Sequence, residues 1–387
     1  MQVAIAKKLL YLFLLSLVCL PSALAQDDKT KPAAEEAAAE APKGYEFKVD
    51  KRIDCTTVKS QDNTGTCWSF ATASFLESEL LRQGKGEHNL SEMFIVRNIY
   101  KDKAQNFLLR QGKANFGEGA LAHDYIAAAR RNGLMPEQAY SGLTDGNSRH
   151  NHGEMETVMR GLLDTFSKQK VLSNKWKPLF ENVLDTYMGK VTEEFSYEGK
   201  DYTPESFAQA LGFKAEDYVS LTSFSHHPFG QSFVLEVPDN FSNGSFLNVP
   251  IDDLVKKIDE AIDAGYTVAW DGDVSERSFL REQGLAVLPD ATNKEFAKTP
   301  GAEENVDQDA RQRTFENLTT ADDHLMHLVG RAVDRNGTKY YIIKNSWGEV
   351  GQHKGFLYMS EAYVRLKTIA ILVHKDVLST GEGAGSR

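Results

Sequence analysis

The chain has 387 residues, of which 41% are hydrophobic and 26% charged, and its formal net charge is -11. That composition excludes a disordered or collagen-like chain, and the acidic balance argues against a nucleic-acid partner, which needs a basic face. Three cysteines in this length exclude a disulfide-built scaffold; at roughly 150 residues per domain, the expectation is two domains or one enlarged domain.

Lys7 and Lys8 precede an apolar run from Leu9 to Leu20, which exits through Ala23-Leu24-Ala25. A positive flank, a short apolar stretch and a small-x-small exit describe a signal peptide at residues 1–25, cut after Ala25. The run is short for a membrane span, so no transmembrane anchor is expected after cleavage. The mature chain is then expected in the bacterial periplasm or outside the cell. Cys19 leaves with the leader, and only Cys55 and Cys67 remain. Residues 26–44 are rich in Ala, Glu, Lys and Pro without an apolar period, and read as a disordered linker.

Helical spacing begins with Trp68, Phe70, Ala71, Ala73, Phe75, Leu76 and Leu80, which predict a helix within Asp62 to Gly84. Met93 to Tyr100 reads as a second helix capped by Ser91, and Ala120 to Asn132 as a third ended by Gly133 and Pro136. Glu154 to Leu184 is long and amphipathic, in the manner of a helical hairpin, and Pro204 to Leu211 is a short helix. The second half changes period. Strands are expected at Ser220 to Phe224, Phe233 to Val237, Tyr266 to Trp270, Leu325 to Val333, Lys339 to Lys344, Gly355 to Met359 and Thr368 to His374. A helix at Ile251 to Ala264 and a polar, irregular excursion at Asn293 to Gln312 interrupt them. There is no internal repeat. A helical half followed by a strand-rich half predicts an α+β fold of two lobes with a cleft between them.

Cys67 opens the first helix. A helix N-terminus favours negative charge, which predicts a lowered thiol pKa and a nucleophilic thiolate. Gly65 lets a substrate backbone approach closely. The Gln61 amide and the Cys67 backbone N–H are candidate oxyanion donors. Alone, Cys67 reads first as a buried core cysteine, with Gln61 as a loop amide. The second half supplies the partners such a thiol needs: His324 at the start of a strand, and Asn345 with Trp347 after the next one. An imidazole can take the thiol proton, an amide can fix its tautomer, and an indole can shield that contact.

Gln61-Asp-Asn-Thr-Gly-Thr-Cys67-Trp68-Ser-Phe70, Asp323-His324 and Lys344-Asn345-Ser-Trp-Gly348 resemble the three active-site blocks of papain-like cysteine proteases. Thr64 stands where most of that superfamily has a cysteine, and the chain is most similar to the bleomycin hydrolase and aminopeptidase C branch. Phe195-Ser-Tyr-Glu, Tyr202-Thr-Pro-Glu-Ser-Phe207, Tyr218-Val-Ser-Leu-Thr222 and Ala269-Trp-Asp-Gly-Asp-Val274 resemble further segments of that branch.

The resemblance implies a papain-like α+β fold at residues 45–378, a helical lobe plus a β-barrel-like lobe, followed by a flexible tail at 379–387. It implies Cys67 as nucleophile, His324 as base and acid, Asn345 as orienter, and Gln61 with Cys67 as the oxyanion hole. His327 competes for the histidine role but points to the opposite face of its strand, and reads as a packing or surface residue. Gly65, Trp68, Gly119, Ala120 and Trp347 are the implied substrate-binding residues, the segment Phe116-Gly-Glu-Gly119-Ala120 resembling a backbone clamp. Cys67 and His324 lie 257 positions apart, against about 130 to 150 in the usual pattern. The excess falls mainly in a helical insertion at about 147–214.

The implied activity is peptide-bond hydrolysis, with aminopeptidase action on peptide or protein substrates expected first. The polar tail after Leu378 is short for the cleft-filling arm of that branch, so a papain-like endopeptidase is the alternative. A non-catalytic binding protein on the same fold is a third reading. Homo-oligomerisation is implied by family analogy alone. No cofactor is expected. His150-Asn-His152, His226-His227 and Asp271-Gly-Asp273 lack the further ligands that define a metal site, so no metal is expected. Cys55 is expected to be buried and reduced.

Overall fold

The computed structural model describes residues 44–144 and 146–379. The expected signal peptide, all but the last residue of the expected linker, and the expected tail from residue 380 lie outside the described residues. The elements run β1 (Phe47–Arg52), α1 (Cys67–Arg82), α2 (Glu92–Leu109), α3 (Ala122–Asn132), α4 (Gly153–Ser167), α5 (Trp176–Met188), β2 (Phe195–Tyr197), β3 (Lys200–Tyr202) and α6 (Pro204–Leu211). They continue through β4 (Tyr218–Thr222), β5 (Ser232–Val234), β6 (Ser245–Asn248), α7 (Ile251–Ala264), β7 (Val268–Gly272), β8 (Phe279–Leu280), β9 (Leu285–Ala286) and α8 (Gln308–Glu316). The last are β10 (His324–Asp334), β11 (Lys339–Lys344), β12 (Phe356–Ser360), α9 (Glu361–Lys367), β13 (Thr368–His374) and α10 (Asp376–Ser379). The architecture is α+β, as expected.

Helix α1 is buried from Cys67 through Leu80, with small or apolar residues on every side. A helix of that composition belongs in the middle of a protein. It packs on α2 and α3 on one side and on β7 and β10 on the other. Ser91 caps α2, its Oγ accepting from Phe94 N at 3.0 Å. The second helix runs nine residues beyond the expected Tyr100, to Leu109. Gly133 ends α3 with φ 75°, and a Cβ there would meet the Pro204 carbonyl carbon at 2.1 Å. Only glycine fits that junction, which seats α6 against α3. The expected hairpin is present as α4 and α5, closed by Met155, Met159 and Leu163 with Phe180, Leu184 and Met188, all buried. It packs on α2.

Strand β10 organises the second half. It pairs antiparallel with β1, β7 and β11 in an eleven-stranded sheet ordered β5-β6-β4-β13-β7-β10-β11-β12-β9-β8. Helix α7 lays Leu254, Val255, Ile258, Ala261 and Ile262 against this sheet. The polar excursion departs from expectation at its end. Asp307 caps α8 through Ala310 N, and Arg311 is fully buried, donating to the carbonyls of Ser223 and Arg365. Cys55 is a free thiol, only partly buried rather than enclosed.

Candidate active site

The expected residues meet where α1 abuts β10. Cys67 is the first residue of α1. Its N-cap, Thr66, makes no side-chain capping bond, because its hydroxyl pairs with Thr64 Oγ1 at 2.6 Å. Of the first-turn N–H groups of α1, Ser69 N donates to Thr66 O at 2.9 Å, while those of Cys67 and Trp68 stay directed at the thiol's site. Asn345 follows β11, and its Oδ1 accepts a hydrogen bond from His324 Nε2 at 2.8 Å and from Ser346 N at 2.7 Å. With Nε2 committed to Asn345, Nδ1 is the ring nitrogen left for a thiol. Trp347 stacks on His324, ring centroids 4.7 Å apart, and carries Arg281 on its ring at 4.8 Å. The Cys67 thiol takes backbone hydrogen bonds from Leu325, the residue after His324, and from Trp68.

The electrostatics differ from expectation. Burial pushes the Cys67 thiol up to about 12, and the nearby Asp322 and Asp271 add to the rise; the two backbone N–H groups oppose it. Burial likewise lowers His324, against the raising influence of Asn345 and Asp323. The helix N-terminus does not by itself make a thiolate here. Neither ion is favoured alone, and pairing thiolate with imidazolium would offset both costs.

Gln61 is held from both ends. Its Oε1 accepts from Ser346 Oγ at 2.7 Å, its Nε2 donates to Thr64 O at 2.7 Å, and its backbone N donates to Ser346 O at 2.8 Å. The second amide hydrogen remains for an incoming oxygen. The 57–66 segment is thus fastened to the turn that carries Asn345. Gly65 is exposed, and its N–H donates to Glu118 Oε2 at 2.5 Å. Residues 117–119 therefore form a wall beside the cysteine, braced by Trp68 Nε1 donating to Glu118 O and by Lys103 donating to Gly119 O.

Two of the expected substrate-binding residues are corrected. Trp68 is fully buried and spends its indole N–H on that wall, and Ala120 is 1% exposed. Neither side chain faces a cleft. Gly65, Gly119 and Trp347 retain exposed surface. His327 is buried rather than at the surface, its Nδ1 paired with Ser74 Oγ at 2.8 Å. It belongs to a buried polar network in which Lys344 Nζ donates to Ser74 and Thr56 hydroxyls, and Thr56 donates to Glu77.

Sequence reasoning missed Ser346, Glu118, Asp239 and Asp322, and weighed Asp271 only as a metal ligand. For metals, one group among the described residues has convergent donors: His226, His227 and Glu236, with ligand atoms within 4.8 Å of one another. Gln312 opposes that use. Its Oε1 accepts from Ser225 N, so its Nε2 is the atom facing His226 Nδ1 at 3.0 Å. That leaves the proton of neutral His226 on Nε2, where it donates to Glu236 and is closed to a metal.

Residues 182–384 match the family model described as the Peptidase C1-like family, and residues 41–177 match that of the papain family cysteine proteases. Aminopeptidase C of Streptococcus thermophilus is 24% identical, the match covering 90% of this chain and 86% of that one. Aminopeptidase G of Lactobacillus delbrueckii subsp. lactis is 24% identical, covering 83% and 82%. The crystal structure of PepW from Lactobacillus rhamnosis superimposes with a TM-score of 0.69 at 17% identity, over 85% of this chain and 82% of that one. That likeness establishes the shared fold.

Proposed function

The chain belongs to the Peptidase C1-like family, on a papain-like fold in the bleomycin hydrolase and aminopeptidase C branch, and is a cysteine-type peptidase; from that premise we propose that it is an exported aminopeptidase working through Cys67, His324 and Asn345. The observation that supports this best is the buried 2.8 Å bond from His324 Nε2 to Asn345 Oδ1, under the Trp347 ring and beside the first residue of α1. It sets the tautomer a thiol needs in its base.

In the proposed reaction, the Cys67 thiol proton passes to His324 Nδ1 and the thiolate attacks the substrate carbonyl carbon. The Cys67 N–H and the Gln61 amide take the oxyanion. Collapse expels the amine, which takes the proton from Nδ1, and leaves a thioester. His324 then removes a proton from water, the hydroxide attacks the thioester, and the acid and free thiol are released. The aminopeptidase part of the reading draws on the relatives named above. Its test compares a peptide bearing a free N-terminus with the same peptide acetylated. Cleavage confined to the free form supports it, equal internal cleavage of the acetylated form refutes it, and Cys67→Ala must abolish both. Export draws on the Lys7 to Ala25 pattern. N-terminal sequencing of the mature protein is expected to begin at Gln26.

A further inference from the structure

The segment between β5 and β6 brings Asp239 onto the Cα face of Gly119. A Cβ at residue 119 would fall 1.8 Å from Asp239 Oδ2, so this carboxylate rests directly on the glycine. Asn115 Nδ2 holds the other oxygen, donating to Oδ1 at 3.0 Å. The wall that starts beside Cys67 at Gly65 and Glu118 is therefore terminated by a carboxylate.

The strand side answers with two more. Asp271 of β7 lies opposite Leu325 of β10 in the sheet and is 4% exposed. No N–H or hydroxyl donor reaches either of its oxygens, nor Asp322 Oδ2. Asp271 and Asp322 hydrogen-bond to each other through a proton held by Asp271, and the charges of Asp239 and Asp323 bear on both. Four carboxyl groups thus converge, and two of them, Asp322 and Asp271, bear on the thiol. The neighbouring cation is Lys103, which feels both Asp239 and Asp322 but gives its ammonium to the Gly119 carbonyl. Burial, with the mutual repulsion of these acids, raises Asp239 and Asp271 and lifts Asp322 to about 7. Buried acceptors without donors are costly, and an arriving donor with positive charge relieves both the missing bonds and the repulsion.

We infer that this cluster, with Asp239 and Asp322 as its contacts, receives the free α-ammonium of the peptide substrate and so fixes how far the N-terminus lies from Cys67. An ammonium offers three N–H donors at moderate charge, which suits oxygens arriving from both sides. A divalent metal would sit against the Lys103 ammonium. The inference rests on the aminopeptidase reading and gives it a structural cause within this chain.

The test uses alanyl-7-amido-4-methylcoumarin with a free and an acetylated N-terminus, assayed on the wild type, Asp239→Asn and Asp322→Asn. The ratio of kcat/KM for the free over the acetylated substrate is expected to fall about 10- to 100-fold in each variant, mainly through KM, the size of one charge-assisted hydrogen bond. Alkylation of Cys67 by iodoacetamide reports that the variants are folded and the thiol intact. An unchanged ratio in both variants, with a wild type that prefers the free amine, overturns the anchor and leaves the aminopeptidase reading standing. A wild type without that preference overturns the reading and the anchor together. A third substrate, acetyl-lysyl-7-amido-4-methylcoumarin, separates the sources of an ammonium: cleavage as fast as the free-amine substrate and equally sensitive to Asp239→Asn assigns the cluster to a side chain and overturns the inference.

Discussion

Replacing Asn345 by alanine removes one acceptor from a fully enclosed imidazole. The bond at stake is His324 Nε2 to Asn345 Oδ1, 2.8 Å long, with both residues buried. In the neutral ring it contributes about 1 kcal/mol; with the ring charged, as in the ion pair, about 1.5–3 kcal/mol. The difference, about 0.5–2 kcal/mol, favours imidazolium and opposes the burial that lowers His324. Without it, the ion-paired fraction falls by about 2- to 30-fold. The ring also loses the acceptor that keeps its proton on Nε2, so part of the population holds the wrong tautomer. Together these predict a loss of about 10- to 100-fold in kcat with a small change in KM. The Ser346 N–H, which also donates to Asn345 Oδ1 at 2.7 Å, loses its partner, so a stability loss of about 1–3 kcal/mol should accompany the kinetic effect. Asn345→Asp keeps an acceptor in place and should retain more of the activity. The assay pairs steady-state kinetics with the rate of Cys67 alkylation from pH 5 to 9 (roughly the span between ordinary imidazole and thiol titration). An Asn345→Ala enzyme that keeps its alkylation rate and kcat within about twofold would refute the reasoning.

Four further outcomes are expected. Glu77→Ala removes the acceptor of Thr56 Oγ1, Lys59 Nζ and Leu90 N in a buried network, and should cost about 3–5 kcal/mol in urea unfolding, whereas Glu77→Gln should cost less. Phe180→Ala empties a site that is 1% exposed under the α4–α5 hairpin, and should cost about 3–5 kcal/mol by the same measurement. His152 is held near 3 by burial and by His150, against 6.5 for the ordinary group. The unfolded chain therefore binds a proton that the native one refuses as pH falls below about 6.5, so the wild type should lose about 1.4 kcal/mol per pH unit relative to His152→Gln down to about pH 3; parallel stability curves would exclude this. Gly119→Ala drives a Cβ into the Asp239 carboxylate, and should raise KM for free-amine substrates while leaving Cys67 alkylation unchanged.

The parts of the site legible in the sequence are those whose chemistry is unusual for their position. A cysteine at a helix start, a histidine opening an apolar strand and an asparagine after the next strand each stand out. Asp271 stands out only as half of a poor metal motif, because Val268-Ala-Trp-Asp-Gly272 otherwise reads as an ordinary buried strand and says nothing of the acids it will face. Asp239 comes from a segment between two short strands, and nothing local announces that it will land on a glycine 120 positions earlier. Helix α8 was hidden for a related reason. Gln308, Arg311 and Gln312 are held by hydrogen bonds rather than by apolar burial, so the segment carries no hydrophobic period. Strand β1, Phe47-Lys-Val-Asp-Lys-Arg52, is largely exposed, and exists because the free edge of β10 pairs with it. The helix N-terminus alone predicts a lowered thiol pKa; burial, which a sequence pattern does not measure, pushes it up.

The attachment of residues 57–66 to the turn at Asn345 has a bearing on biosynthesis. The thiol emerges early, but the imidazole and amide that would activate it are encoded 257 and 278 positions later. On the proposed mechanism, a nascent chain has no peptidase activity until β10 and β11 have been made and have closed against α1. Chain order alone then keeps the protease silent while it is being synthesised.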